Sequence, residues 1–241
     1  LDLVAIGTIA DMVSLTDENR LMVSIGLEVL KATERVGLQE LLKHSSVNPS
    51  DISEETIGFQ IAPQLNALGR LDDPNPAIEL LTGFDDVEAS SIAQMIVDKN
   101  EERKEIVQSI YDEATEMINP ERQVQVLAKE GWHPGVLGIV AGRILEQIGQ
   151  PVIVLNIEDG VAKGSARSIE SLDIFAALND HRDLFIAFGG HSGAAGMTLP
   201  EENLEKLSKV IEDYIQLHQI DMSQKKAVNV DATLSFNELS L

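Results

Sequence analysis

Residues 188–196 read Phe188-Gly189-Gly190-His191-Ser192-Gly193-Ala194-Ala195-Gly196, and the fold of the second half of the chain turns on how they are read. They follow an apolar run, Leu184-Phe185-Ile186-Ala187-Phe188, that predicts a buried strand ended by a turn. Glycine is required where the backbone takes positive φ, or where another group must come within contact distance of the main chain. Successive glycine amides can form an anion-binding concavity, and a histidine beside them can donate to a phosphate oxygen or exchange a proton with it. A tight strand-to-strand turn with a hydrogen-bonded histidine is the alternative, and Gly-Gly-His by itself does not choose between the two.

The segments around this stretch alternate. Gln123–Ala128 reads as a strand, Val136–Gln147 as a helix, Pro151–Leu155 as a buried strand and Val161–Ala166 as another. A short helix over Ser171–Leu178, a strand over Ala195–Leu199 and an amphipathic helix over Glu201–Leu217 complete it, the last with Leu204, Leu207, Ile211, Tyr214 and Ile215 inward. Together they predict a compact, mixed-sheet α/β domain. Three of its loops pair glycines with polar groups. Gly131-Trp132-His133-Pro134-Gly135-Val136-Leu137-Gly138 leads into a helix whose first amides can hold an anion. Lys163-Gly164-Ser165-Ala166-Arg167-Ser168 offers an ammonium, hydroxyls and a guanidinium fork within six residues, and the third loop is Gly189-Gly190-His191. A local phosphate site accounts for all three. Trp132, the single tryptophan, is open to two readings, a base-stacking platform or core.

Upstream, Leu1–Leu15 is apolar almost throughout, so Asp11 is expected to be paired, capping or metal-bound. A helix starts at Thr16-Asp17-Glu18-Asn19 with Leu21, Ile25, Leu27 and Leu30 as its apolar stripe. Gly37 and the loop Ser45–Ser50 end it, and another starts near Ser53. Pro63 and Gly69 bracket a short turn presenting Asn66 and Arg70, with Asp72 and Asp73 close enough to pair with the arginine. Asp85–Ile118 reads as one long helix whose middle, Asp98–Glu105, is polar on every side. That pattern predicts a connector between a helical first part and the α/β domain, with a cleft between them.

The chain has 241 residues, a net charge of −22 and no cysteine. The charge argues against wholesale coating by nucleic acid or an anionic membrane, so any polyanion site must be a local basic patch. The absence of cysteine removes disulfide frameworks and thiolate metal sites and fits a reducing, cytoplasmic setting. No apolar run approaches the roughly 20 residues of a membrane span, and no signal peptide pattern opens the chain. The start at Leu1 in mid-pattern, without Met, suggests a fragment.

Gly164-Ser165-Ala166-Arg167-Ser168, Gly189-Gly190-His191, Ala194-Ala195-Gly196 and Gly131–Gly138 together resemble the DHH-associated domain of DHH-superfamily phosphoesterases. Asp2-Leu3-Val4-Ala5-Ile6-Gly7-Thr8-Ile9-Ala10-Asp11 and Leu65-Asn66-Ala67-Leu68-Gly69-Arg70 are similar to the RecJ family of single-strand-specific exonucleases within it. Gln64 departs from the pattern, the family often having Arg after the proline.

The resemblance implies four segments: residues 1–84 as the end of a DHH catalytic domain, 85–118 as connector helix, 119–222 as DHH-associated substrate-binding domain, and 223–241 as the start of a further domain, for which an OB-like fold is the candidate. It implies a 5′ to 3′ exodeoxyribonuclease that hydrolyses phosphodiesters of single-stranded DNA with two Mn2+ or Mg2+ ions and serves repair and recombination. Single-strand-binding protein and a helicase are the expected partners, and no membrane. On the same basis Asp11 is expected as a metal ligand, and Asp11 and His191 as catalytic. Asn66, Arg70, His133, Ser165, Arg167, Gly189, Gly190 and His191 are expected to bind substrate. The Asp-x-Asp and Asp-His-His motifs of the family do not occur, Asn179-Asp180-His181 reads as surface, and one carboxylate cannot assemble a binuclear site. The piece alone is therefore expected to be inactive. Two alternatives stay open: a non-catalytic single-strand-binding scaffold on the same fold, and a phosphoesterase for short oligonucleotides or small nucleotides.

Overall fold

The computed structural model describes residues 1–222, 230 and 232–235. The chain forms two compact units, Leu1–Glu113 and Ala114–Leu241. The alternation of Ala227–Phe236 reads in the sequence as an extended strand; of these residues only Val230 and 232–235 are described, and they carry no strand.

The first unit is helical. Helices α1 (Asp2–Ala10), α2 (Asp17–Lys31) and α3 (Val36–His44) are followed by α4 (Glu54–Thr56), a π-helical turn (Ile57–Ile61) and α5 (Ala62–Leu71). Then come α6 (Asn75–Thr82) and α7 (Asp86–Glu116), whose 31 residues extend about 46 Å. The core gathers Ala5, Ile6 and Ile9 of α1 with Leu27, Leu30, Leu38, Leu41, Ile57, Ile61, Leu68, Leu80 and Ile96.

Four expectations change in this unit. On α2 the buried residues are Val23, Gly26, Leu27 and Leu30, so Leu27 and Leu30 face inward as expected, while Leu21 and Ile25 lie on the other side of the helix and face solvent. The opening stretch is not buried throughout: Leu1, Val4, Met12 and Val13 are exposed. Gly37 does not stop a helix but lies in the first turn of α3, where a Cβ would collide with the Leu80 carbonyl. Residues 62–71 form helix rather than a turn. Pro63 is tolerated because it sits in the first turn of α5, and the π-helical turn before it absorbs the missing amide bond.

The second unit is α/β, as predicted. Its strands are β1 (Gln125–Glu130), β2 (Val152–Glu158), β3 (Val161–Arg167), β4 (Ala187–His191) and β5 (Ala194–Pro200). They form one sheet in the order β1-β2-β3-β5-β4, with β1 and β2 parallel and the other pairs antiparallel. The parallel pair is joined through α8 (Leu137–Ile148), because parallel neighbours need a crossover. α9 (Ile174–Asn179) and α10 (Leu204–Leu217) pack on Ile153, Leu155, Ala162, Ala166, Met197 and Leu199. Residues alternate sides along a strand, so Val152 and Val154 face the side taken by α8, and β2 is buried on both faces.

The run 184–188 is not a buried strand. Arg182–Leu184 is a 3₁₀ turn, and β4 starts only at Ala187, is mostly exposed, and carries both glycines and His191 within the strand at the sheet edge. The turn itself is Ser192-Gly193.

A candidate phosphate-binding sheet face

The register of the sheet assembles the site. Arg167 pairs with Ala194, and Ala194 pairs with His191, so these three form one row across β3, β5 and β4. Two residues along, Ser165, Gly196 and Gly189 form the next row, and Lys163, Thr198 and Ala187 the one after. Cross-strand partners share a face, so Lys163, Ser165, Arg167, Gly189 and His191 all lie on the face away from α9 and α10. At about 4.8 Å between strands, Arg167 and His191 stand about 10 Å apart. A groove of about 510 Å³ runs over this face, bounded by Pro134, Lys163, Ser165, Phe188, Gly189, Gly196 and Thr198.

The N-terminus of α8 closes one side. A Cβ at Gly138 would stand 2.9 Å from Arg167 Nη2 and 3.4 Å from Ser165 Oγ, so only glycine leaves room for the guanidinium there. Arg167 Nη1 donates to the carbonyl of Ala166 at 2.8 Å, which fixes the plane of the fork. His133 and His191 share one arrangement. His133 Nδ1 accepts from the Gly135 amide at 3.2 Å and His191 Nδ1 accepts from the Gly193 amide at 3.3 Å. With Nδ1 accepting, the neutral ring carries its proton on Nε2 and presents it as a donor. Two imidazole donors, a guanidinium, a hydroxyl and an ammonium make this face able to hold phosphate oxygens.

Gly190 is placed differently from its neighbours. It pairs with Ala195, on the opposite face, and a Cβ there would stand 2.3 Å from the Ala194 carbonyl oxygen. It is a spacer that lets β4 and β5 approach, and Gly189 is the one that lines the groove. Trp132 is only 3% exposed, so it is core and not a stacking platform. Sequence reasoning missed an aromatic cluster on the opposite, α9 side of the sheet, where Phe188 lies in register with Met197. Phe188 stacks on Phe185 at 4.8 Å and on Phe175 at 5.3 Å, with the Arg182 guanidinium 5.8 Å from its ring. Nothing in the spacing of these phenylalanines signals the cluster, because it is made by folding α9 onto β4. Asn179 is the half-exposed last residue of α9, and Asp180-His181 form an exposed turn after it, so the segment lies at the surface as expected.

The remaining residues belong to the helical unit. Asn66 and Arg70 lie one turn apart on the exposed side of α5. Asp72 is 3.8 Å from Lys99, and Asp73 accepts from Asn75, so both carboxylates engage groups other than the expected arginine. Gln64 is buried and accepts from Ser45 Oγ at 2.8 Å, which makes it a packing residue. Asp11 is the exposed C-cap of α1, not a buried carboxylate. The buried one is Asp2, held by the Arg35 guanidinium and by the Leu3 amide at 2.8 Å. Burial pushes the Asp2 carboxyl up, but these bonds and the charge of Arg35 outweigh it and hold it below the usual carboxylate range. Among the described residues no three His, Asp or Glu side chains gather as a metal-binding group, so the residues present do not fit a two-metal centre. No helix among them is long and apolar enough to cross a membrane.

The DHHA1 domain family matches residues 121–217. Over its whole length the chain is 43% identical to the single-stranded-DNA-specific exonuclease RecJ of Bacillus subtilis, of which it covers 33%. It is 37% identical to the RecJ of Dickeya dadantii, again over its whole length, and covers 44% of that protein. Among solved structures it is similar to RecJ of Thermus thermophilus in complex with Mg2+, with a TM-score of 0.82 and 32% identity over 90% of this chain and 34% of that one. It is also similar to an exonuclease RecJ bound to manganese, with a TM-score of 0.77 and 30% identity over 92% of this chain and 57% of that one. The chain thus spans a third to less than half of the curated relatives it matches.

Proposed function

Taking as premise that the chain is homologous to RecJ single-stranded-DNA exonucleases over part of their length and carries a DHHA1 domain, we propose that it is the substrate-holding portion of a 5′ to 3′ exonuclease acting on single-stranded DNA in repair and recombination. The observation that carries this reading is the row Arg167–Ala194–His191 beside the N-terminus of α8. It concentrates donors for phosphate in a chain whose net charge is −22. In this reading Arg167, Ser165, His133 and His191 hold backbone phosphates through guanidinium, hydroxyl and Nε2–H donors, and the bare main chain at Gly189 lets the strand come close. Phosphate contacts position a strand without reading its sequence. Asn66 and Arg70 contact the backbone from the helical unit.

Asp11 would supply one carboxylate toward a Mn2+ or Mg2+ pair, ions that would provide the water activation of phosphodiester hydrolysis, but among the described residues no further group completes such a centre. What this chain's own residues do is hold the phosphodiester in place, so the 241-residue chain binds substrate without cleaving it. Single-strand-binding protein and a helicase are the partners such a role calls for.

The test is binding of the chain to fluorescent single-stranded and duplex DNA over a salt series, with Arg167→Ala and His191→Ala alongside. The expected result is a preference for single strands whose logarithmic salt slope falls by about 0.7 when Arg167 is removed. Equal binding by both variants and the parent chain would exclude the sheet face as the phosphate site.

A further inference from the structure

The groove over β3, β5 and β4 continues past the Arg167–His191 row. Its middle row is Ser165–Gly196–Gly189 and its far row Lys163–Thr198–Ala187. Gly189 and Gly196 are cross-strand partners, both exposed, and neither has positive φ. A Cβ at either position would meet nothing within 4 Å. The fold itself therefore does not require glycine at these two places. Glycine weakens a strand interior, so the pair is explained by what approaches from outside. The result is a floor of bare main chain, two strands or about 4.8 Å across, in the open half of the sheet. The far row carries polar groups. Lys163 is exposed, and its ammonium has no ion-pair partner among the described residues. Asn156 of β2 pairs with Lys163 and lies on the same face. Asn156 is 7% exposed, and its Oδ1 has no hydrogen-bond partner. Buried side-chain polar atoms are as a rule satisfied, so this row is one to which a polar group is still to be added. None of the three rows holds a carboxylate, although the chain has 40 acidic residues.

We propose that the Gly189–Gly196 floor and the Lys163–Thr198 row, with Asn156 beside it, form a nucleobase subsite of the sheet face. The base lies flat on the peptide planes of β4 and β5, in contact over its whole face as a puckered sugar is not, and Lys163 and Thr198 donate to the acceptor atoms on its edge. The subsite rests on the preceding reading for its anchor, a phosphate held at the Arg167–His191 row, two residues or about 7 Å along the strands from the floor.

The experiment measures binding of the 241-residue chain and of Gly196→Val to three ligands: a short oligothymidylate, a backbone of equal length carrying no bases, and thymidine 5′-monophosphate. The parent chain is expected to bind the oligothymidylate about tenfold more tightly than the base-free backbone, the scale of one stacked base. Gly196→Val is expected to bring the oligothymidylate down to the base-free affinity. Its salt slope and melting temperature stay unchanged, because the phosphate contacts persist and the new Cβ meets nothing in the protein. Should valine lower the melting temperature, Gly196→Ala is read in the same way. Equal binding of the two strands by the parent chain, or a difference that survives in the variant, overturns the subsite and leaves the exonuclease reading intact. A variant that weakens both strands alike puts the sugar-phosphate chain on the floor and overturns the subsite as well. Binding of the monophosphate that is lost in Gly196→Val, with neither strand bound, supports the subsite and overturns the exonuclease reading. A folded chain that binds none of the three overturns both.

Discussion

At position 138 a hydrogen stands where any other residue would place a methyl 2.9 Å from the Arg167 guanidinium. The end of an arginine side chain can move, so Gly138→Ala is expected to leave the melting temperature nearly unchanged while weakening single-strand binding by about 1 kcal/mol, through a displaced fork. Gly190→Ala is expected to do the reverse. Its Cβ would meet a backbone oxygen and the Ala195 backbone, which cannot yield, so thermal unfolding should show a loss of about 1–3 kcal/mol. The buried Asp2 gives a third outcome at this scale. Its folded carboxyl titrates below the ordinary aspartate value, about 3.9, so the Asp2–Arg35 pair contributes fully above that value, and the contribution fades as pH falls through the lower, folded one. Arg35→Ala should cost about 1–2 kcal/mol at neutral pH, the arginine being partly exposed, and urea unfolding across the acid range should show a shallower dependence on pH than in the parent chain.

The elements show why some local signals were sufficient. Ser53 caps the helix beginning at Glu54: Ser53 Oγ accepts from the Thr56 amide and Thr56 Oγ1 accepts from the Ser53 amide. This reciprocal pair is local, so a start near Ser53 was readable from the residues alone. Ser53→Ala should lower stability by about 1 kcal/mol in a chemical denaturation series, with Ser53→Asp retaining most of it. The residues 62–71 show the opposite. Pro63 and Gly69 are punctuation in most contexts, yet here helix runs through both, because a π-helical turn precedes the proline and Gly69 lies on the exposed side of α5. In β4 the glycines also read as a turn. The pairing of β4 with β5 along five residues makes them strand instead, with the reversal displaced to Ser192-Gly193.

On the scale of the whole molecule, each unit has a core of its own. The second gathers Ile153, Leu155, Ala162, Leu199, Leu207 and Ile211 from sheet and helices, and the first is built from helices α1 to α7. Residues 114–222 expressed alone are therefore expected to unfold in one cooperative thermal transition followed by circular dichroism. A gradual, non-cooperative loss of signal would mean that the second core depends on the first unit. The net charge of −22 is spread over both units, which is why the donors gathered at Arg167 and His191 stand out as a local patch.

The amino-acid sequence by itself determined the alternation that makes residues 125–217 an α/β domain, the single long helix of 86–116, and the short glycine-bearing motifs that contain Ser165, Arg167 and His191. These rest on periodicity and turn chemistry, which act over a few residues. Only the tertiary structure decided which of those residues share a face. Arg167 and His191 meet across Ala194 because β5 lies between β3 and β4, an order set by packing over the whole sheet and not by any neighbour in sequence. Burial was decided the same way. Trp132 and Gln64 went into the core, Asp11 stayed at the surface, and Asn100 of α7 was buried in a stretch whose composition alone reads as solvated on every side. Which side of a helix is covered depends on what folds against it.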